Sequence, residues 1–290
     1  MSSRSLKAES FQDSDTSGVR WLGWAPLGWY LIFLLAPLAI VVATSFASRG
    51  LYGGIEWHFS TANFSRAFDP LYVSILLKSF VLSLGTTCAC FALGFPVAYS
   101  MATASRRMRN VLIMLLAIPF LTNLVIRICA LKAFTSFDGP LATVLTWIHV
   151  GFDPYLLSQN GYLVAFGMVS TYLPFMVFPL YASLERFDFT LVEAAEDLGA
   201  TFLQICSRVV IPSLKGAMLS GVLLVFIPAM GEFLIPDLLG GAKVMLAGNL
   251  VSEQFLKARD WPFGSALSAL LMLLLSIVVI IVRRLEKRAK

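Results

Sequence analysis

Few residues in this chain have types and spacings suited to chemistry, and the most conspicuous are carboxylates. The only histidines are His58 and His149, and neither H-E-x-x-H nor G-x-S-x-G occurs, so a zinc-bound water or an activated serine has no home here. The phosphate-binding pattern G-x-x-x-x-G-K-[ST] is absent too; Gly240-Gly-Ala-Lys243 lacks its spacing. What stands out is Phe226-Ile-Pro-Ala-Met-Gly-Glu-Phe-Leu-Ile-Pro-Asp-Leu-Leu-Gly-Gly241, which sets Glu232 and Asp237 within an apolar run. A charged side chain at mid-bilayer costs about 2.5–3.5 kcal/mol on insertion scales, so such an acid needs a partner or a wet cavity. Pro228 and Pro236 would free the carbonyls of Leu224 and Glu232, and Gly231 would loosen the helix between them. Acid, broken helix and freed carbonyls together suit a cation on a water-lined route. Tyr172 and Phe175, beside Pro174 and Pro179, offer ring faces that attract ammonium groups, and Asp260 with Trp261 opens the last apolar run. Plainer roles stay open for each. Asp237 would be solvated at an interface, Glu232 would pair with Arg127, Lys132 or another chain, the rings would pack, and Trp261 would anchor at the headgroups.

The elements that must carry these residues are membrane spans. Of 290 residues 58% are hydrophobic and only 13% charged, with mean hydropathy +0.80, roughly half the charge of a soluble domain. The net charge of +5 comes from residues at the ends of apolar runs rather than from one patch, which argues against nucleic acid as a partner. Six apolar segments predict an all-α polytopic bundle: 24–46, 74–101, 111–134, 161–184, 217–239 and 263–282. With the N-terminus inside, 14 of the 22 Lys and Arg residues fall in cytoplasmic segments, notably Arg106, Arg107 and Arg109 and the tail from Arg283 to Lys290. Both termini are therefore expected in the cytoplasm. Residues 1–20 read as a polar, disordered cytoplasmic tail, 21–284 as the membrane domain, and 285–290 as a basic tail. The first run is too long for a cleaved signal core and should stay as a span. The stretch Leu141–Val150 is expected to lie along the outer surface as a short amphipathic helix. Four cysteines without a C-x-x-C pattern read as packing residues, not as a disulfide framework.

One polar loop, residues 185–216, has an organisation of its own. Thr190-Leu-Val-Glu193 has the form of a capping box, and Leu191, Ala194, Ala195 and Leu198 would line one face of a two-turn helix. Gly199 stands where a left-handed C′ residue is wanted. Thr201-Phe-Leu-Gln204 repeats the cap for a second helix, and Pro212 marks a turn back toward the membrane. A small-residue helix of this kind fits either a groove on a partner or the lipid headgroup layer.

Glu193-Ala-Ala195, three residues, Gly199, nine residues, then Val209-Val-Ile-Pro212 resembles the E-A-A-x3-G-x9-I-x-L-P loop of the permease subunits of ATP-binding-cassette (ABC) importers, with Val209 and Ile211 as the departures. The resemblance implies a type I importer permease core, with Glu193, Ala194, Ala195, Asp197, Gly199 and Pro212 coupling the chain to a separate ATPase dimer. ATP and magnesium would bind that partner, and this chain would hold no cofactor or metal and be no enzyme. The stretch 226–241, with Leu173–Tyr181 and Arg259–Gly264, further resembles the putrescine/spermidine branch. That likeness implies a second, similar permease and a periplasmic polyamine-binding protein in the bacterial inner membrane system. Glu232, Asp237, Tyr172, Phe175, Asp260 and Trp261 would then line the substrate pathway. Pro119-Phe-Leu-Thr-Asn-Leu-Val-Ile-Arg127 lacks an aromatic residue expected near Leu121 or Thr122, which leaves the exact polyamine open. Other cargoes (a metal ion, thiamine, an amino acid) and an ion-coupled secondary transporter remain the alternatives. Against the latter, one interrupted helix and no internal repeat are visible.

Overall fold

Helices account for nearly all of the regular structure in the computed structural model, which describes residues 16–147, 160–241 and 243–289. In chain order, α1 (Thr16–Ser45) leads into a two-residue hairpin pair, β1 (Ser48–Arg49) and β2 (Ile55–Glu56), then α2 (Ala62–Ala67) and the long α3 (Pro70–Thr103). Next come α4 (Arg106–Leu121), α5 (Leu124–Phe134), α6 (Pro140–Trp147) and α7 (Gly161–Leu184). A chain of short helices follows: α8 (Thr190–Asp197), α9 (Phe202–Ile205), a π-helical turn at Cys206–Val210, and α10 (Ile211–Ser213). The chain closes with α11 (Lys215–Met230), α12 (Leu234–Leu239), α13 (Ala247–Leu256) and α14 (Trp261–Ala289).

Four helices are long and apolar enough to cross a bilayer alone, and counting two sharply bent pairs as spans brings the total to six. The six-segment reading therefore holds, with two corrections. The third segment is not one straight helix: α4 and α5 meet at 94° around Thr122 and Asn123. Asn123 makes the break possible, because its side chain accepts from Val125 N at 2.8 Å and Ile126 N at 3.4 Å and so starts a new helix. The fifth segment also divides, at Gly231–Phe233. Pro236 falls in the first turn of α12, where no intrahelical N–H is required, so it frees no carbonyl of Glu232. At the termini, helix extends further than expected, with α1 starting at Thr16 and α14 running to Ala289. The amphipathic stretch is helical through Trp147; its last residues and His149 lie outside the described residues.

The core is built by α3, α7 and α11, which pack face to face and bury Cys90, Met168, Met176, Val177, Leu180 and Val225 among others. Close approach there depends on small residues. A Cβ on Gly221 would fall 2.7 Å from the Met176 sulfur, and one on Gly167 the same distance from Leu239. α1, by contrast, packs on α14 and leaves most of the apolar surface of Pro26–Ser45 exposed, as expected of a lipid-facing span. All four cysteines are free.

Candidate functional site

Two places gather most of the residues singled out by sequence, the α8 segment that precedes α11 and the break that follows it. At the first, α8 begins from a cap different from the one expected. Thr190 is the first helical residue rather than the cap, and Glu193 does not reach back. Asp188 does the work instead: its Oδ1 accepts from Thr190 N at 3.0 Å and from Thr190 Oγ1 at 2.8 Å. Those two bonds hold the exposed Asp188 carboxyl below the usual carboxylate range. At the other end Gly199 has φ +78°, Gly199 N donates to Glu196 O at 2.8 Å and Ala200 N to Ala195 O at 3.0 Å. This is a complete Schellman stop. The second helix starts as expected, with Gln204 Oε1 accepting from Thr201 N at 2.9 Å.

α8 shows two faces. Val192 is buried and Ala195 half-buried against the bundle, whereas Leu191, Ala194 and Leu198 are exposed; Leu198 retains 88% of its surface. Glu193, Asp197 and Gly199 are exposed as well, and a Cβ on Gly199 would meet nothing within 4 Å. Aromatic contacts tie the segment to the end of α3: Tyr99 meets Phe189 at 6.2 Å and Phe202 at 6.0 Å, both edge-on. Pro212 is half-buried in α10. Lacking an N–H and crowding the carbonyl four residues back, it explains the wider π turn just before it, and the chain bends by 78° at Leu214.

The second place is the break that separates α11 from α12. It lies at the far end of the sixteen residues of α11, about 24 Å of helix from the bend at Leu214. Glu232 is 8% exposed. Its Oε1 accepts from Leu234 N at 2.9 Å and Ile235 N at 3.3 Å, and its Oε2 accepts from Tyr172 Oη at 2.5 Å. The structure thus joins Tyr172 and Glu232, 60 residues apart, and Phe175 follows with its ring 6.2 Å from that of Tyr172. Phe120 stacks edge-on against Phe175 at 5.3 Å, an aromatic at this site that sequence reading did not single out. Neither cation proposed for Glu232 pairs with it. Arg127 donates to Pro119 O at 2.7 Å and Thr171 Oγ1 at 3.0 Å, and Glu232 makes no ion pair among the described residues.

Asp237 is exposed on α12, near enough to Lys257 to contribute to its raised pKa, after the stronger effect of Glu253. Asp260 is 1% exposed and committed: Arg66 reaches its Oδ2 at 2.7 Å, Arg49 stands at 3.9 Å, and Phe263 N donates to Oδ1 at 3.3 Å. Partial burial would lower the Arg66 pKa, but bonds to Asp260 and Tyr72 outweigh it, and the guanidinium also lies 3.9 Å above the Phe263 ring. Asp260 therefore caps α14 and ties it to α2. Trp261 is half exposed beside Phe255.

A helical membrane bundle with a capped helix that leaves one face exposed, and a buried acid in a broken span, has the parts that a transport permease needs. Comparison with known proteins gives the family. Residues 90–290 match the binding-protein-dependent transport system inner membrane component, and the chain belongs to that family. It is 41% identical over 261 residues to the spermidine/putrescine transport system permease protein PotB of Escherichia coli K12, covering 90% of this chain and 95% of that one. Against PotB of Haemophilus influenzae the identity is 38%, over 89% and 91% of the two chains. Among solved structures, a bacterial ABC transporter involved in import of the acidic polysaccharide alginate aligns with TM-score 0.72 over 92% of this chain and 96% of its own, at 17% identity. That likeness fixes the type I permease fold.

Proposed function

We propose that this chain is the membrane-spanning subunit of an ATP-driven polyamine importer and that putrescine or spermidine passes Glu232 on its way through. The cargo class rests on the 41% identity to a spermidine/putrescine permease over nine-tenths of the chain. The route rests on the buried Glu232 carboxylate, which sits with Tyr172 at a break in a span and has no cation partner among the described residues. A carboxylate held this way attracts an ammonium group without a permanent partner to displace.

The exposed Leu191, Ala194 and Leu198 face supports α8 as the helix that docks in an ATPase groove, with Glu193, Ala195, Asp197 and Gly199 around the contact and Pro212 setting its exit. The partners are a second homologous permease in the inner membrane, an ATPase dimer on its cytoplasmic face, which holds ATP and magnesium, and a periplasmic polyamine-binding protein, with both termini of this chain cytoplasmic. In this scheme ATP binding closes the dimer and displaces α8. The end of α3 follows through Tyr99, α11 follows through the bend at Leu214, and the bundle opens to the loaded binding protein. Asp237, Phe175 and Trp261 lie at or beyond the break and would meet the cation before or after Glu232. Asp260, paired with Arg66, would shape the outer end rather than bind. Uptake of radiolabelled putrescine and spermidine by cells carrying the whole transporter tests the cargo; no uptake of either would overturn it.

A further inference from the structure

We propose that the first turn of α13, Ala247–Asn249, is the clamp that holds the helix break open in the shape that presents Glu232, with Asn249 a positioning residue for cation passage. The inference rests on the reading of Glu232 as a pathway residue. Unwound backbone inside a membrane must be satisfied by its surroundings, and here α13 supplies the partner. Asn249 Nδ2 donates to Phe233 O at 2.7 Å, a carbonyl that also accepts from Asp237 N at 3.1 Å. Asn249 is 8% exposed and its Oδ1 is buried without a hydrogen-bond partner, so the amide is held through its donor end. Next to it, Gly248 lies flat against the break: a Cβ there would stand 2.6 Å from Glu232 O and nearer still to Gly231 O. No other residue type fits that approach without moving backbone. Ala247 N in turn donates to Ser79 Oγ at 2.7 Å, which anchors the turn to α3 in the core. Glu232 fastens one side of the break through α12, and α13 fastens the other. Among the described residues no hydrogen bond joins Gly248 or Asn249 to the Glu232 carboxylate. Their effect on transport must therefore pass through the position of the break.

The test measures polyamine uptake by the complete transporter carrying Asn249→Ala, Glu232→Gln, or both, with assembly checked by purification of the complex. A binding protein that delivers cargo sets KM, so a misplaced carboxylate should lower Vmax about tenfold and leave KM unchanged. The double variant should be no slower than Glu232→Gln alone, because Asn249 acts only by placing that carboxylate. Wild-type Vmax in Asn249→Ala with a slow Glu232→Gln would overturn the clamp while sparing the pathway. So would losses that multiply in the double variant. A Glu232→Gln transporter as fast as wild type would instead sink the pathway reading and the clamp with it. Should Asn249→Ala fail to assemble, Asn249→Leu keeps the approximate shape, removes the donor without adding charge, and gives the same readings.

Discussion

Replacing Gly199 isolates what α8 owes to a single backbone conformation. Its φ of +78° lies in the left-handed region, and a Cβ there meets nothing within 4 Å, so an alanine is opposed by backbone sterics alone. That penalty is about 1–2 kcal/mol for an L-residue, less for asparagine, whose short polar side chain tolerates the region. If α8 keeps its stop only at that cost, the docking-competent form should fall about 5- to 30-fold in Gly199→Ala. The bonds from Gly199 N and Ala200 N are the ones at risk. The assay is ATPase activity of the purified complex with loaded binding protein, alongside uptake into vesicles. The expected order is glycine above asparagine above alanine, in both activity and recovery of ATPase subunit with the permease. Equal activity in all three would refute the reasoning, since the open space at Gly199 leaves only the backbone penalty to act.

Arg66→Ala strips the buried Asp260 of its closest cation. Breaking a buried pair costs about 3–5 kcal/mol, and because Arg66 is itself half exposed and Arg49 remains near, about 2 kcal/mol is expected here. A lower melting temperature of the detergent-solubilised complex, with unchanged Vmax in the surviving fraction, is the outcome to look for. Asp188→Ala should speed amide exchange at Thr190–Glu193 by removing the cap. Because the folded Asp188 pKa is lowered, its contribution is present above the unfolded carboxylate pKa and lost as pH falls through the lower folded one. Loss of Asp188 should thus weaken association with the ATPase by the same amount across neutral pH, and the difference from wild type should fade only in acid.

The spans were legible because length and hydropathy carry them. α7 spans 161–184, the range expected, since Asn160 caps it and the polar Glu185 ends it. The 94° break between α4 and α5 had its signals in Pro119 and Asn123, but an apolar run that continues across them conceals the turn. At α8 the Thr190 pattern pointed to the right helix and the wrong cap, because Asp188, two residues earlier, competes for the same amide more effectively. Gly199 was readable because only its backbone matters. The acid sites were readable by type and not by partner. Tyr172 meets Glu232 across 60 residues, and Arg66 meets Asp260 across 194, and no local spacing encodes either pairing. α13 was missed altogether: ten residues of mixed polarity resemble a loop until Gly248 is seen pressed on the break.

The most direct test of the whole account is uptake of radiolabelled putrescine and spermidine by the complete transporter, wild type against Glu232→Gln. Gln keeps the length of the side chain and an oxygen for the α12 amides, and loses the charge. The account predicts polyamine uptake by the wild type and a Vmax at least tenfold lower in the variant, with normal assembly. Unchanged uptake in Glu232→Gln would contradict it.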